Sequence, residues 1–200
     1  IEVDVYAVDG QLLVAHDVKD LKASRTFQNL YLEPLVKVLE AGKTGNFHQL
    51  LIDCKTSADS TMPLLLKAIE PYKALILKNK FRVVISGNRP IVSDYVKYPD
   101  WITFDGRSNE TVPTILASHV VLESEAFYHF GIWNGNSLMQ PALRDKLKTY
   151  IDKVHAAGRK VRLWASPESL MAYQTLLDLG VDYIGTDQLG ALADYLKASR

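Results

Sequence analysis

The sequence predicts an α/β protein with a mainly parallel sheet, closed as a barrel or left open and doubly wound. Three observations predict it. Strand-like and helix-like segments alternate from end to end. The stretches "AAGRKVRLWA" and "LDLGVDYIGTD" repeat one order of helix, glycine and short strand. No linker or low-complexity run interrupts the 200 residues, so one domain over 1–200 is expected.

The elements follow in order. Residues 2–6 read as a strand, "DG" at Asp9-Gly10 as a hairpin turn, and residues 11–16 as the returning strand. A two-residue turn pairs Asp4 with Ala15 and Val3 with His16. A helix is expected over 30–41, a strand over 50–55, a helix over 62–72 and a strand over 82–86. Residues 91–98 read as a helix, and 101–104 and 120–123 as strands. Pro141 suits the first turn of a helix over 141–157, and Gly158 its left-handed end. Pro167 and Gly180 frame a helix over 167–179 in the same way. Strands at 161–165 and 182–185 and a helix at 189–197 complete the pattern.

Seven of these strands suit a parallel arrangement. An eight-stranded barrel typically takes about 250 residues. On that reading a first strand and helix belong ahead of Ile1, and the edges at 2–6 and 182–185 are open to association. No glycine-rich phosphate loop follows any strand, as a dinucleotide-binding open sheet would require.

Twenty-three basic and 23 acidic residues give a formal net charge of zero. Charge therefore gives no argument for a nucleic-acid partner or an anionic membrane surface. The single cysteine, Cys54, excludes an internal disulfide and a cysteine-rich zinc site. No stretch is apolar for long enough to span a bilayer.

Charge does appear on the strands. Side chains alternate across a strand, so Glu2, Asp4 and Tyr6 share one face, Asp53 and Lys55 share one, and Arg162 and Trp164 share one. An unpaired buried charge is costly, so these groups must converge on each other or on a metal ion. Glu2, Asp4 and Asp53 are hard oxygen donors suited to Mg²⁺ or Ca²⁺. A salt-bridge network with Lys55 and Arg162 explains the same pattern. His16 returns beside the acids, but reaches their face only if a bulge intervenes or the strand stops first. An imidazole titrates near pH 6.5 in its ordinary state, which suits it to proton transfer. His48 (in the loop with Asn46), His119, His129 and His155 read as structural or solvated, and Cys54 as a core residue.

"SGNRP" places Arg89, and "FDGR" places Arg107, in loops after strands. Each alone reads as turn chemistry. Together with Arg162 and Lys55 they point to an anion site, since guanidinium forks match phosphate oxygens. Trp164 either walls a small substrate or fills the barrel mouth.

"IEVDVYAVDGQLLVAHD", "LLIDCK", "VRLWASPES" and "LGVDYIGTD" resemble, in order, the landmarks of the glycerophosphodiester phosphodiesterases. These belong to the wider phosphatidylinositol-specific phospholipase C-like barrels. "SGNRP" and "FDGR" resemble a divergent bacterial branch. The resemblance implies a (β/α)8 TIM barrel whose first strand and helix are absent from this chain. It implies a divalent metal, Ca²⁺ or Mg²⁺, on Glu2, Asp4 and Asp53. It makes His16 one of a catalytic pair, sets Lys55 near the phosphate and Trp164 near the substrate, and names a small phosphodiester as the partner. The family often has Glu where this chain has the shorter Asp53. Its other catalytic histidine lies on the strand ahead of the acidic one.

Two further readings stay separable. A non-catalytic barrel would bind a phosphorylated or anionic ligand without turnover. A sugar-phosphate isomerase or aldolase would use Lys55 as a base or Schiff-base amine.

Overall fold

The computed structural model describes residues 1–45 and 48–198. Asn46, in the loop that carries His48, lies outside the described residues. The strands are β1 (Glu2–Val8), β2 (Gln11–Val14), β3 (Gln49–Cys54), β4 (Arg82–Gly87), β5 (Ile102–Gly106), β6 (Val120–Ala126), β7 (Lys160–Trp164) and β8 (Tyr183–Ile184). The helices are α1 (Glu33–Glu40), α2 (Ala58–Ile69), α3 (Lys73–Lys78), α4 (Pro141–Ala156), α5 (Leu170–Leu179) and α6 (Leu189–Ala198). Two compact units are formed. One comprises Ile1–Phe104 and Val112–His119, the other Asp105–Thr111 and Val120–Arg200.

In the first unit β3 lies between β1 and β4, parallel to both, and β4 is parallel to β5. Its apolar run, Leu50 to Ile52, is at most 2 % exposed, as a strand covered on both faces requires. Asp9 and Gly10 both have positive φ, 47° and 75°, and turn β1 back into antiparallel β2. The pairing Val5↔Val14 through Val8↔Gln11 is the register expected from the turn. It also covers an edge of β1 over these residues, so the open edge expected at 2–6 is closed in its upper part.

Connections in this unit depart from the expected helices. Ser57 caps α2 by accepting a hydrogen bond from the Ser60 amide, so the helix starts at Ala58 rather than at residue 62. It gives way to a 3₁₀ turn, Glu70–Tyr72, at Pro71, which donates no backbone hydrogen bond, and α3 follows. Residues expected as a helix over 91–98 form a 3₁₀ segment, Val92–Lys97. There Tyr95 stacks on Phe104 with ring centroids 3.9 Å apart. Thr114–His119, where the sequence predicts no helix, forms another 3₁₀ segment.

In the second unit β6, β7 and β8 run parallel. Val161 and Leu163 of β7 pack with Leu147, Ile151 and Val154 of α4 and with Leu176 and Leu179 of α5. Arg162 and Trp164 alternate to the other face, as a pleated strand demands. Pro141 opens α4 at its first position. Pro167 does not open α5. The helix begins at Leu170, with the Ser169 hydroxyl accepting from the Ala172 amide, and ends at Gly180 with φ 98°. β6 runs to Ala126, so Glu123 is mid-strand and buried rather than at a strand end. It pairs with Arg159 at 3.0 Å.

Candidate active site

The acids are gathered by strand register. Parallel pairing sets Asp4 beside Asp53, and Glu2 lies two residues before Asp4 on the same face. Glu2, Asp4 and Asp53 each offer one carboxylate oxygen, and these oxygens lie within 4.8 Å of one another. Lys55 follows β3 directly. Its ammonium donates to Asp53 Oδ2 at 2.6 Å and lies 3.3 Å from Asp4 Oδ1. Burial alone would lower the pKa of Lys55. The hydrogen bond and charge of Asp53, then those of Asp4, outweigh it and raise the pKa above its ordinary value. Lys55 is therefore held as an ammonium, which disfavours the Schiff-base reading.

His16 reaches the acids because β2 stops at Val14. Freed from the pleat, its Nδ1 comes to 2.9 Å from Asp4 Oδ2, while its side chain stays 85 % exposed. The Tyr6 hydroxyl donates to the His16 carbonyl at 3.1 Å and fixes the backbone there.

Neighbouring residues hold the frame. Asn88 donates through its amide side chain to the Lys55 carbonyl at 3.0 Å and through its backbone N–H to the Cys54 carbonyl at 2.8 Å. Gly87 sits so close to β3 that a Cβ there would fall 1.9 Å from Asp53 Oδ1. Sequence reasoning singled out "SGNRP" for its arginine, yet Asn88 and Gly87 are its members that touch the site. The signal was the small Ser-Gly pair at the end of a buried strand, where a close backbone approach needs glycine. Burial, with Asp53 adding to it, pushes the Cys54 thiol up to about 12 and leaves it unreactive.

Of the remaining candidates, Arg89 lies in the first unit and three lie in the second. Arg89 is 8 % exposed, donates to the Pro90 carbonyl and lies 5.7 Å from the Tyr95 ring centroid. Arg107, Arg162 and Trp164 belong to the second unit. Arg107 is exposed and Arg162 partly buried on β7. Trp164, 38 % exposed, meets Tyr128 edge-on at 5.7 Å. The anion site expected of the three arginines rests on sequence position and guanidinium chemistry, and the substrate contact expected of Trp164 on the resemblance. Beside Arg107, the Ser108 hydroxyl donates to Glu125, whose other oxygen lies 2.6 Å from His129 Nδ1 and accepts from the Ala126 amide. Burial would raise the Glu125 carboxyl, but hydrogen bonds from Ser108, His129 and Ala126 hold it below the ordinary range. His155 and Lys160 both pair with Asp182, at 2.7 and 2.6 Å. No helix among the described residues is long and apolar enough to cross a membrane.

The chemistry available is thus three hard anionic donors, one fixed ammonium and one exposed imidazole on a carboxylate. Residues 1–49 match the family described as an AIM6-like phosphodiesterase domain. A curated relative, the Altered inheritance of mitochondria protein 6 homolog of Arthroderma benhamiae, is 32 % identical over 91 residues. That match covers 36 % of this chain and 29 % of the relative, so this chain corresponds to less than a third of that protein's length. The crystal structure of a glycerophosphodiester phosphodiesterase from Parabacteroides distasonis superposes with a TM-score of 0.56 at 14 % identity. The match covers 99 % of this chain and 83 % of that one. A second solved structure, from Silicibacter pomeroyi, gives 0.53 at 14 % identity, over 99 % of this chain and 83 % of its own. The structural likenesses carry the fold, a mixed α/β chain of the TIM-barrel class. None of these matches bears on a bacterial branch.

Proposed function

We propose that this chain, glycerophosphodiester phosphodiesterase-like by sequence and fold, hydrolyses glycerophosphodiester- or phosphoinositide-like substrates by metal-dependent general acid/base catalysis. The observation that carries the proposal is Asp4, whose carboxylate meets Lys55 through one oxygen and His16 through the other, beside Glu2 and Asp53.

The donor set fits a divalent cation. Three carboxylate oxygens close together, with no thiolate and no imidazole among them, suit Mg²⁺ or Ca²⁺ rather than Zn²⁺. Glu2, Asp4 and Asp53 would hold the ion, which when bound supplies Lewis-acid polarisation of a phosphoryl oxygen. The chain's own groups do the rest. Asp4 accepts a hydrogen bond from His16 Nδ1–H, which fixes that tautomer and leaves Nε2 to take or give a proton at the reacting oxygen. Lys55 presents a charged donor to the oxygen on which negative charge grows. Tyr6 and Asn88 keep the backbones of these two residues in place.

The test is kinetic, on the full-length natural protein with glycerophosphodiester substrates. His16→Ala is expected to lower kcat by about 10²–10⁴-fold. Lys55→Met is expected to lower it by about 10²–10³-fold. The His16 variant should keep its thermal midpoint, because that side chain is mostly in solvent. A His16→Ala protein that turns over at the parental rate would remove the acid/base assignment.

A further inference from the structure

A cavity of about 480 Å³ opens in the first unit between the hairpin tip, the segment 26–28 and the later turns of α2. None of the residues gathered around Asp4 lines it. Helical spacing explains how α2 serves two surfaces. Met62, Leu65 and Ile69 are buried in the core. Leu64 and Ala68, one turn apart, line the cavity instead. Buried Leu12 and Phe27 close its apolar lining from the other side.

Lys67 sits within this second stripe, three residues after Leu64, and also lines the cavity, as do Tyr72 and Gln11. The Lys67 ammonium, the Tyr72 hydroxyl and the Gln11 side-chain amide make no hydrogen bond or ion pair with any described residue. An apolar lining with one unpaired cation and neutral donors beside it calls for a particular ligand shape. The volume falls in the range of small-molecule sites.

We propose that this cavity binds a small amphipathic anion, an apolar chain ending in one carboxylate. The chain would lie against Leu12, Phe27 and Leu64, and the carboxylate would take the charged donor of Lys67 and the hydroxyl of Tyr72. One cation matches one negative charge, which sets a monocarboxylate apart from a nucleotide or polyphosphate.

The test uses octanoate as the probe and octanol as its uncharged counterpart, added to the isotope-labelled full chain. Octanoate is expected to shift the amide resonances of Gly10, Leu12 and Thr26 saturably and to raise the melting temperature. Lys67→Met is expected to weaken octanoate about tenfold or more while leaving octanol unchanged. Ala68→Phe, which fills the cavity, should abolish both. Three results would overturn the proposal: no saturable shift at these amides, equal octanoate affinity in Lys67→Met, or octanol binding the parent as tightly as octanoate.

Discussion

Asp4 uses both of its oxygens: one steadies Lys55 and the other orients His16. Asp53 depends on what is missing beside it. Any side chain at Gly87, where φ is also +68°, would meet Asp53 Oδ1 and the Cys54 backbone. Gly87→Ala is therefore expected to displace Asp53 and weaken Ca²⁺ or Mg²⁺ binding by about tenfold or more, read by calorimetric titration. Unchanged affinity would dissociate Asp53 from the metal site. Asp182 makes a separate case for pH. Burial would raise its carboxyl, but hydrogen bonds from Lys160, the Val161 amide and His155 hold it below the ordinary range. A depressed folded-state value means that its stabilisation is present above the unfolded value, near pH 4, and is lost as pH falls through the folded one. Asp182→Asn should lower the melting temperature at pH 7, with the gap to the parent narrowing below about pH 4. A gap that stays constant with pH would refute the linkage.

At the scale of elements, the β1–β2 hairpin decides whether His16 meets Asp4. Nothing lies within 4 Å of a Cβ built on Gly10, so Gly10→Ala carries only the strain of its positive φ. The expected cost is about 1 kcal/mol, or a melting shift of roughly 2–4 °C. Ser169→Ala removes the cap of α5 and should also cost about 1 kcal/mol by denaturant titration. The Asp9-Gly10 pair made the hairpin and its register legible, because a two-residue turn of this type admits one pairing. That β2 stops at Val14, and so turns His16 toward the acids, was not legible, because the apolar run from Leu12 to Ala15 carries no stop signal. Asn88 was overlooked beside Arg89 because its part is played through backbone and amide hydrogen bonds that no charge pattern announces. The connection at 91–98 has apolar residues at helical spacing, yet Tyr95 stacking on Phe104 goes with a tighter 3₁₀ path.

At the scale of the molecule, the α/β class was legible from alternation alone, since helix and strand periods replace each other along the whole chain. The chain passes between the two compact units at Phe104/Asp105, Thr111/Val112 and His119/Val120, and no glycine-rich linker or change of composition marks these points. The candidate site was legible in part for a related reason. Glu2, Asp4, Asp53 and Lys55 come from β1 and from β3 and the residue after it, so local register is enough to gather them, while His16 joins them only because β2 stops at Val14. Arg107, Arg162 and Trp164 depend on longer connections that sequence spacing cannot place.

The most direct measurement is turnover of a glycerophosphodiester by the full-length natural protein, first with Ca²⁺ or Mg²⁺, then with a chelator, then with the metal restored, run beside Asp4→Asn. The account predicts turnover that the chelator abolishes and the metal restores, and a variant with little or none under any condition. Turnover that survives chelation, or that persists undiminished in Asp4→Asn, would contradict it.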